Sequence, residues 1–355
     1  MLDWKKRTED LRGSVDDSVD DVRSYFGGLW LSRTLGSLLA LYLLGALLVG
    51  WYWSQEPALF PVQQQAQAAA EQAQRKLVSG YTTVETLKQV SGTLLGKPGG
   101  YLSNDIAPPG LWLDNMPAWE YGVLVQVRDL SRALRKDFAR SQSQSTEDPD
   151  LAKAEPRFNF DNKSWALPAS ESEYVEGIKS LDRYLARLAD PGQPNAQFYT
   201  RADNLNNWLG DVATRLGSLS QRLSASVGRV RLNTDLSGAA PAEGEAPSVS
   251  EEEVKTPWMQ IDNVFYEARG QAWALSHLLR AIEVDFADVL AKKNATVSVR
   301  QIIRELEAAQ EPLWSPMVLN GSGYGVLANH SLVMANYISR ANAAIIDLRT
   351  LLTQG

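Results

Sequence analysis

The chain has 355 residues, of which 44% are hydrophobic, and a formal net charge of -7. This length and apolar content suffice for a folded domain with its own core, and the absence of a dense basic stretch argues against a nucleic-acid partner. The absence of cysteine excludes disulfides, thiolate metal sites and cysteine nucleophiles, and only His277 and His330 could supply imidazole, so we expect no metal site and no cofactor.

Residues 1–33 form a leader that we expect to lie in the cytoplasm. Four apolar side chains recur at spacings of four and three residues, which places them on one face of a helix: Val15, Val19, Val22 and Phe26. The acidic residues beside them oppose binding to anionic lipid. The pattern predicts an amphipathic helix that either docks to a partner or a second copy, or lies on the inner leaflet of the membrane.

A transmembrane helix is predicted over residues 34–55. No residue in this range is charged, and about 20 apolar residues cover a hydrocarbon core of about 30 Å. The residues that mark the span are leucines followed by an aromatic belt: Leu35, Leu39, Leu43, Leu47, Trp51 and Trp53. A cleaved signal peptide is the alternative, but its apolar part would be shorter and a small-residue cleavage site would follow it.

The distribution of basic residues predicts how this span is oriented. Six Lys and Arg residues precede the span, and none follows it before Arg75. Because positive charge is retained on the cytoplasmic side, the N-terminus is expected in the cytoplasm of a bacterium and the bulk of the chain in the periplasm, anchored to the inner membrane.

The rest of the chain is predicted to be mainly α, a periplasmic multi-helix bundle with long heptad-patterned helices that resemble those of coiled coils. A first helical part covers 56–236, a flexible acidic Pro/Ala linker 237–256, and a second helical part of the same bundle 257–355. A weak echo between the two parts leaves open whether they arose by duplication.

Several details of the bundle follow from local patterns. One apolar stripe runs from Ala66 to Leu94, and a helix is predicted over 202–232. A capping box of Ser170 and Glu173 would start another helix, and the alternation of Phe158 and Phe160 suggests a short extended piece. Trp258 falls on the stripe of a helix that opens at Pro257 and is therefore assigned to the core.

Three phrases of the sequence resemble a known proteobacterial family. They are LDNMPAWE at 113–120, SQSQS at 141–145 and RLGSLSQRLS at 215–224. The family is catalogued as domain of unknown function 2333, and the resemblance covers nearly the whole chain, including the anchor. It implies a membrane-anchored protein of the bacterial envelope, and it provides no catalytic residues and no cofactor to transfer to this chain.

Few residues are candidates for chemistry, and each has a structural alternative. Glu120, between Trp119 and Tyr121, could be a general acid if the indole raises its pKa, but no partner carboxylate is identifiable and helix dipoles also favour acids in a first turn. His330 could act as a base or pH sensor or be structural. The glycine-rich segment 320–325 could bind an anion but is better explained as a hinge.

Two tryptophans in loop-like contexts, Trp112 and Trp165, are the preferred contact residues because aromatic side chains dominate interfaces. The hypothesis is therefore a non-enzymatic, membrane-anchored scaffold that binds a protein partner or forms a homo-oligomer. A sensory or transport-accessory ectodomain that binds a small ligand between helices is the alternative, and an envelope glycan hydrolase that depends on Glu120 is a third.

Overall fold

The computed structural model describes residues 30–141, 146–193, 195–232, 251–315, 317–321 and 325–354. The chain divides into two compact units, residues 1–52 and residues 53–355. The predicted leader helix with Val15, Val19, Val22 and Phe26 lies outside the described residues. It therefore stays a prediction.

The first unit is described from Trp30 onward and consists there of helix α1, Trp30–Trp53, which has 24 residues and ends at the first residue of the second unit. At 1.5 Å per residue its length is about 36 Å, enough to cross a hydrocarbon core of about 30 Å. Its leucine side chains are exposed. The helix is thus long and apolar enough for a membrane span, by a criterion that a signal sequence also satisfies.

The second unit is mainly helical, as predicted. Its helices are α2 (Val62–Gln72), α3 (Tyr81–Gly96), α4 (Asn115–Ala133), α5 (Leu151–Phe158), α6 (Ser170–Leu188), α7 (Ala202–Ser224), α8 (Ile261–Asp285), α9 (Ala287–Lys292), α10 (Thr296–Ala308) and α11 (His330–Thr353). A π-helical turn, Leu134–Phe138, extends α4, and 3-10 turns occupy Gly110–Trp112, Ala225–Val227 and Trp258–Gln260. One contiguous apolar core joins these helices.

Helices α4 and α8 pack against each other at the centre of this core, and they run in the same direction. Burial and the nearby Asp114 carboxylate raise the pKa of Asp262, so the starts of the two helices are neighbours. At their other ends the rings of Phe138 and Phe286 lie 5.4 Å apart. Helices α4 and α8 therefore form one parallel pair at the centre of the unit.

Local structure differs from the sequence patterns at three places in helices α2 to α6. The stripe from Ala66 to Leu94 is divided between α2 and α3, which a break separates. No extended piece forms at Phe158, which ends helix α5 and is buried. The predicted capping box is wrong, because the Ser170 hydroxyl donates to the carbonyls of Asp161 and Ser164 instead of capping the helix. Hydrogen bonds to the preceding loop, 159–169, replace the contact with Glu173 that the motif predicts.

The predicted helix over 202–232 is too long. Helix α7 ends at Ser224, and strand β1 (Arg229–Leu232) pairs antiparallel with β2 (Glu251–Val254). Strand β2 falls inside the predicted linker 237–256, so the last part of that linker is structured. Arg229 faces Val254 and Leu232 faces Glu251 in the register of the pair.

Candidate interaction surface

The second unit has one end at which α4, α6 and α8 all begin and α11 begins nearby. Four segments meet there: loops 97–114, 159–169 and 255–260, and the described residues of the segment that joins α10 to α11, 309–315, 317–321 and 325–329. We call this surface the aromatic end. The contacts that assemble it hold the first residue of the unit, Trp53, as well.

From the aromatic end the chain runs along helix α8. Arg269 donates to the Glu56 carboxylate at 2.6 Å, and the backbone N–H of Phe60 donates to Nε2 of His277 at 3.0 Å. From Glu56 to Phe60 the chain therefore advances along α8 away from the start of that helix. Trp53 comes three residues before Glu56 and therefore lies on the side of Glu56 that is nearer to the start of α8.

Loop 97–114 is held by a buried ion pair. The Lys97 ammonium lies 2.6 Å from the Glu120 carboxylate, and both side chains are fully buried. Glu120 also accepts hydrogen bonds from the backbone of Leu102 and from the backbone and hydroxyl of Ser103. Burial raises the pKa of Glu120, whereas Lys97 and the Ser103 and Leu102 donors favour its ionised form. The pair fixes the loop to the second turn of α4.

The same loop contacts Trp53. A β-carbon at Gly99 would lie 2.7 Å from the Trp53 indole, so the ring packs directly on the glycine backbone. The Asn104 amide donates to the Ser164 carbonyl at 2.7 Å, and the Tyr101 hydroxyl donates to the Asn162 carbonyl at 3.0 Å. These bonds bring loop 159–169 beside loop 97–114.

Arg269 and His330 attach the segment 309–329. The Arg269 guanidinium donates to three successive carbonyls, those of Ala309, Gln310 and Glu311, in addition to Glu56. At the other end of the segment, the Leu319 N–H donates to Nδ1 of His330 at 2.8 Å, and the His330 N–H donates to the Leu319 carbonyl. The His330 ring lies near Phe265, one helical turn into α8. Both ends of the segment are thus fixed close to the start of α8.

All four exposed tryptophans of the second unit lie at the aromatic end, one on each segment. Of the eight tryptophans in residues 53–355, three are buried and Trp53 is half-buried. The other four are exposed by 49% (Trp112), 62% (Trp165), 81% (Trp258) and 95% (Trp314). Around the opposite end, near the end of α8, the exposed apolar side chains include Leu77, Val284 and Val297. The tryptophans therefore make the two ends chemically different.

Further exposed apolar side chains lie on the same segments. They are Ile106, Leu111, Leu167, Met259, Met317, Val326 and Leu327. A soluble surface rarely groups so many large apolar side chains, and an apolar group of this kind usually marks a contact surface. This makes the aromatic end the candidate interaction surface of the protein.

The structure places the two predicted contact residues on loops that hydrogen-bond to each other, and it adds two more tryptophans. Trp112 and Trp165 are exposed on adjacent loops, which makes them available for contact. The assignment of Trp258 to the core was wrong, because the residue lies in a 3-10 turn before α8 begins and its side chain is exposed. Trp314 and Arg269 were not singled out, since their roles depend on contacts across the fold.

The two candidates for chemistry are engaged in the contacts that shape the same end. Every oxygen of the Glu120 carboxylate accepts a hydrogen bond, and a substrate could reach it only if loop 97–114 opened. Burial lowers the pKa of His330, whose Nδ1 accepts the Leu319 N–H. Of the segment 320–325, Asn320 and Gly321 are described together with Gly325, and Asn320 forms a β-bridge with Asn329. The side chains of Glu120 and His330 therefore both position loops.

His277 is the second engaged imidazole, and it predicts a pH dependence of stability. Burial lowers its pKa to about 4, and its ring stacks on Phe60 while Nε2 accepts the Phe60 N–H. The unfolded chain, with an ordinary pKa of about 6.5, binds this proton first as the pH falls. We expect the free energy of unfolding to be retained above about pH 6.5 and to fall by about 2 to 3 kcal/mol between about pH 7 and about pH 4.5.

This expectation is checked by urea unfolding of the full chain in detergent at about pH 7 and at about pH 4.5, monitored by tryptophan fluorescence. Other groups titrate in the same range, so the informative quantity is the difference from a His277→Gln variant, whose amide oxygen can still accept the Phe60 N–H. The variant should lose the part of the pH dependence that His277 contributes. An identical pH dependence in both proteins would show that His277 is not held neutral in the folded state.

Comparisons with known proteins identify one relationship. A family model described as an uncharacterized protein conserved in bacteria, DUF2333, matches residues 25–355. No curated protein and no solved structure matches the chain. Among the residues that the structure describes, no group of three or more His, Asp and Glu side chains is arranged to hold a metal ion.

Proposed function

The chain belongs to the bacterial DUF2333 family, and from its apolar helix α1 and its aromatic end we propose that it is a non-catalytic interaction module of the bacterial inner membrane. Helix α1 is the anchor, the leader lies in the cytoplasm and residues 53–355 lie in the periplasm. The contact surface of the module is the aromatic end. The observation that carries the proposal is the grouping of the four exposed tryptophans on four separate segments at one end of the unit.

The engagement of the charged and titratable groups supports a non-catalytic role. Glu120 is paired with Lys97, and Glu56 with Arg269. Asp285, whose pKa burial raises, accepts hydrogen bonds from the backbone and hydroxyl of Thr83 at the start of α3. A general acid or base must reach a substrate in the active geometry, and each of these groups is held by a contact within the fold.

A ligand-binding ectodomain is the weaker alternative. Its best site is an open groove of about 1110 Å³ between the segment 59–64 and helices α8 and α10. Of the five charged side chains that line the groove, four form ion pairs, Arg280 with Glu307 and Arg300 with Glu283, and the fifth is Glu311. The groove therefore offers a small ligand one carboxylate outside these pairs and no basic side chain outside them.

The proposal predicts that the aromatic end is covered in the cell. The natural chain has no cysteine, so a single introduced cysteine reports on one position. In inner-membrane vesicles with the periplasmic face outward, Trp258→Cys and Trp314→Cys should react with a membrane-impermeant maleimide at least about fivefold more slowly than Val297→Cys, since buried thiols are shielded from the reagent. Each rate is normalised to that of the same variant unfolded in urea. Val297 is the matched control because it is 76% exposed at the opposite end.

Topology is tested with the same reagent in spheroplasts. Val297→Cys should be labelled while the inner membrane is intact, whereas Val22→Cys in the leader should be labelled only after lysis. Equal reactivity of Trp258→Cys, Trp314→Cys and Val297→Cys in membranes would refute the interaction surface. Labelling of Val22→Cys from outside would refute the orientation.

A further inference from the structure

We infer that the partner of the aromatic end is the lipid bilayer itself: the four tryptophan-bearing segments insert into the headgroup layer on the periplasmic side of the membrane. This inference rests on the proposed function, because it names what covers the surface described there. It assigns a membrane-docking site to a domain that would otherwise be regarded as suspended above the membrane by its anchor.

The second unit begins at Trp53, which is also the last residue of the candidate span. Trp53 is the last residue of α1, and its indole already packs on Gly99 inside the second unit. Only Ser54 and Gln55 separate it from Glu56, which Arg269 holds at 2.6 Å. About 20 residues cover the hydrocarbon core, so a span that ends at Trp53 places this residue at the interface. Gly99 of loop 97–114 touches Trp53, so this loop is within reach of the interface.

A second observation is the chemistry of the exposed side chains. Tryptophan is the residue that membrane proteins concentrate at headgroup level, because its ring is apolar and its N–H can bond to polar neighbours. Each segment of the aromatic end presents one tryptophan together with aliphatic or thioether side chains such as Ile106, Met259 and Leu327. An interfacial element buries such a face about 5 to 10 Å into the boundary of headgroups and acyl chains.

A third observation concerns charge. Exposed lysines lie beside two of the tryptophans, Lys163 before Trp165 and Lys255 before Trp258, where an ammonium can reach lipid phosphate while the aromatic side chain inserts. Asp114, Asp161 and Glu311 are exposed at the same end, so the surface has no large excess of either sign. Apolar burial is then the main source of binding, and docking should change little with salt.

The test uses the full chain in nanodiscs that contain one copy each and only phosphatidylethanolamine and phosphatidylglycerol. Trp258→Cys and Trp314→Cys are expected to react with the impermeant maleimide at least about fivefold more slowly than Val297→Cys, as interfacial burial requires, at both low and high salt. With a fluorescent bimane on the introduced cysteine and nitroxide-labelled lipid in the disc, fluorescence at positions 258 and 314 should be quenched and that at 297 should not. Because both tryptophans are highly exposed, their replacement should leave thermal unfolding unchanged.

The outcomes separate this inference from the proposed function. Slow labelling in native membranes and in nanodiscs, with quenching by lipid, supports the bilayer as the partner. Slow labelling in native membranes with fast labelling and no quenching in single-copy nanodiscs would mean that a protein partner or a second copy covers the surface; the inference would fail and the proposed function would stand. Fast labelling in both would overturn both.

Discussion

Replacing Glu120 with glutamine is expected to lower the free energy of unfolding by about 3 to 5 kcal/mol, the usual cost of removing one partner from a buried ion pair. The substitution leaves the fully buried Lys97 ammonium without a counter-charge. It also turns an amide NH₂ group towards donors, because both carboxylate oxygens accept hydrogen bonds from Ser103, Leu102 or Lys97. The measurement is guanidinium unfolding of the full chain in detergent, followed by tryptophan fluorescence.

Substitution of Lys97, the partner of Glu120, provides the control. Lys97→Met alone should also destabilise, since it leaves the Glu120 carboxylate buried with hydrogen bonds but no counter-charge. The double variant Lys97→Met, Glu120→Gln has no buried charge left and should be less destabilised than the sum of the two single variants. Additive losses would mean that the two groups do not interact. A Glu120→Gln variant as stable as the natural chain would show that the pair does not hold loop 97–114.

The helices and the apolar span follow from local sequence, because spacing along the chain reports directly which side chains share a helix face. This is why the mainly α architecture and the range of α1 could be predicted. Element ends are less accessible to the same reasoning. Helix α8 begins at Ile261, and the apolar stripe continued beyond that residue to Trp258, which the preceding 3-10 turn exposes. The apolar stripe therefore does not show at which residue the helix begins.

The interaction surface could be predicted only in part, because its assembly depends on contacts between distant residues. Trp112 and Trp165 were recognisable from their loop context, but that they lie together depends on the bond from Asn104 to Ser164. The aromatic neighbours of Glu120 suggested a raised pKa, whereas its role is decided by Lys97, which is distant in sequence. One available signal was overlooked: glycines within predicted helices usually have a packing reason.

Replacing Gly270 with alanine is the second large expected effect. A β-carbon at this position would lie 2.0 Å from the Trp119 carbonyl oxygen, and one at Gly122 would lie 2.2 Å from the Glu267 carbonyl oxygen. These neighbours are helix backbone, which cannot rotate away as a side chain can. Alanine must therefore push α4 and α8 apart, which disturbs the Trp119 and Trp273 rings at 5.2 Å. We expect a loss of about 3 kcal/mol in the free energy of unfolding, the upper part of the range for overpacked cores.

The matched control is Gly92→Ala, which places the same methyl group within helix α3 where no atom lies within 4 Å. Because alanine is the better helix former, this variant should be more stable than the natural chain by about 0.5 to 1 kcal/mol. Opposite signs for the two substitutions, measured by the same guanidinium unfolding, would identify backbone contact between α4 and α8 as the cause. If Gly270→Ala were as stable as Gly92→Ala, the two central helices could not be packed as closely as described.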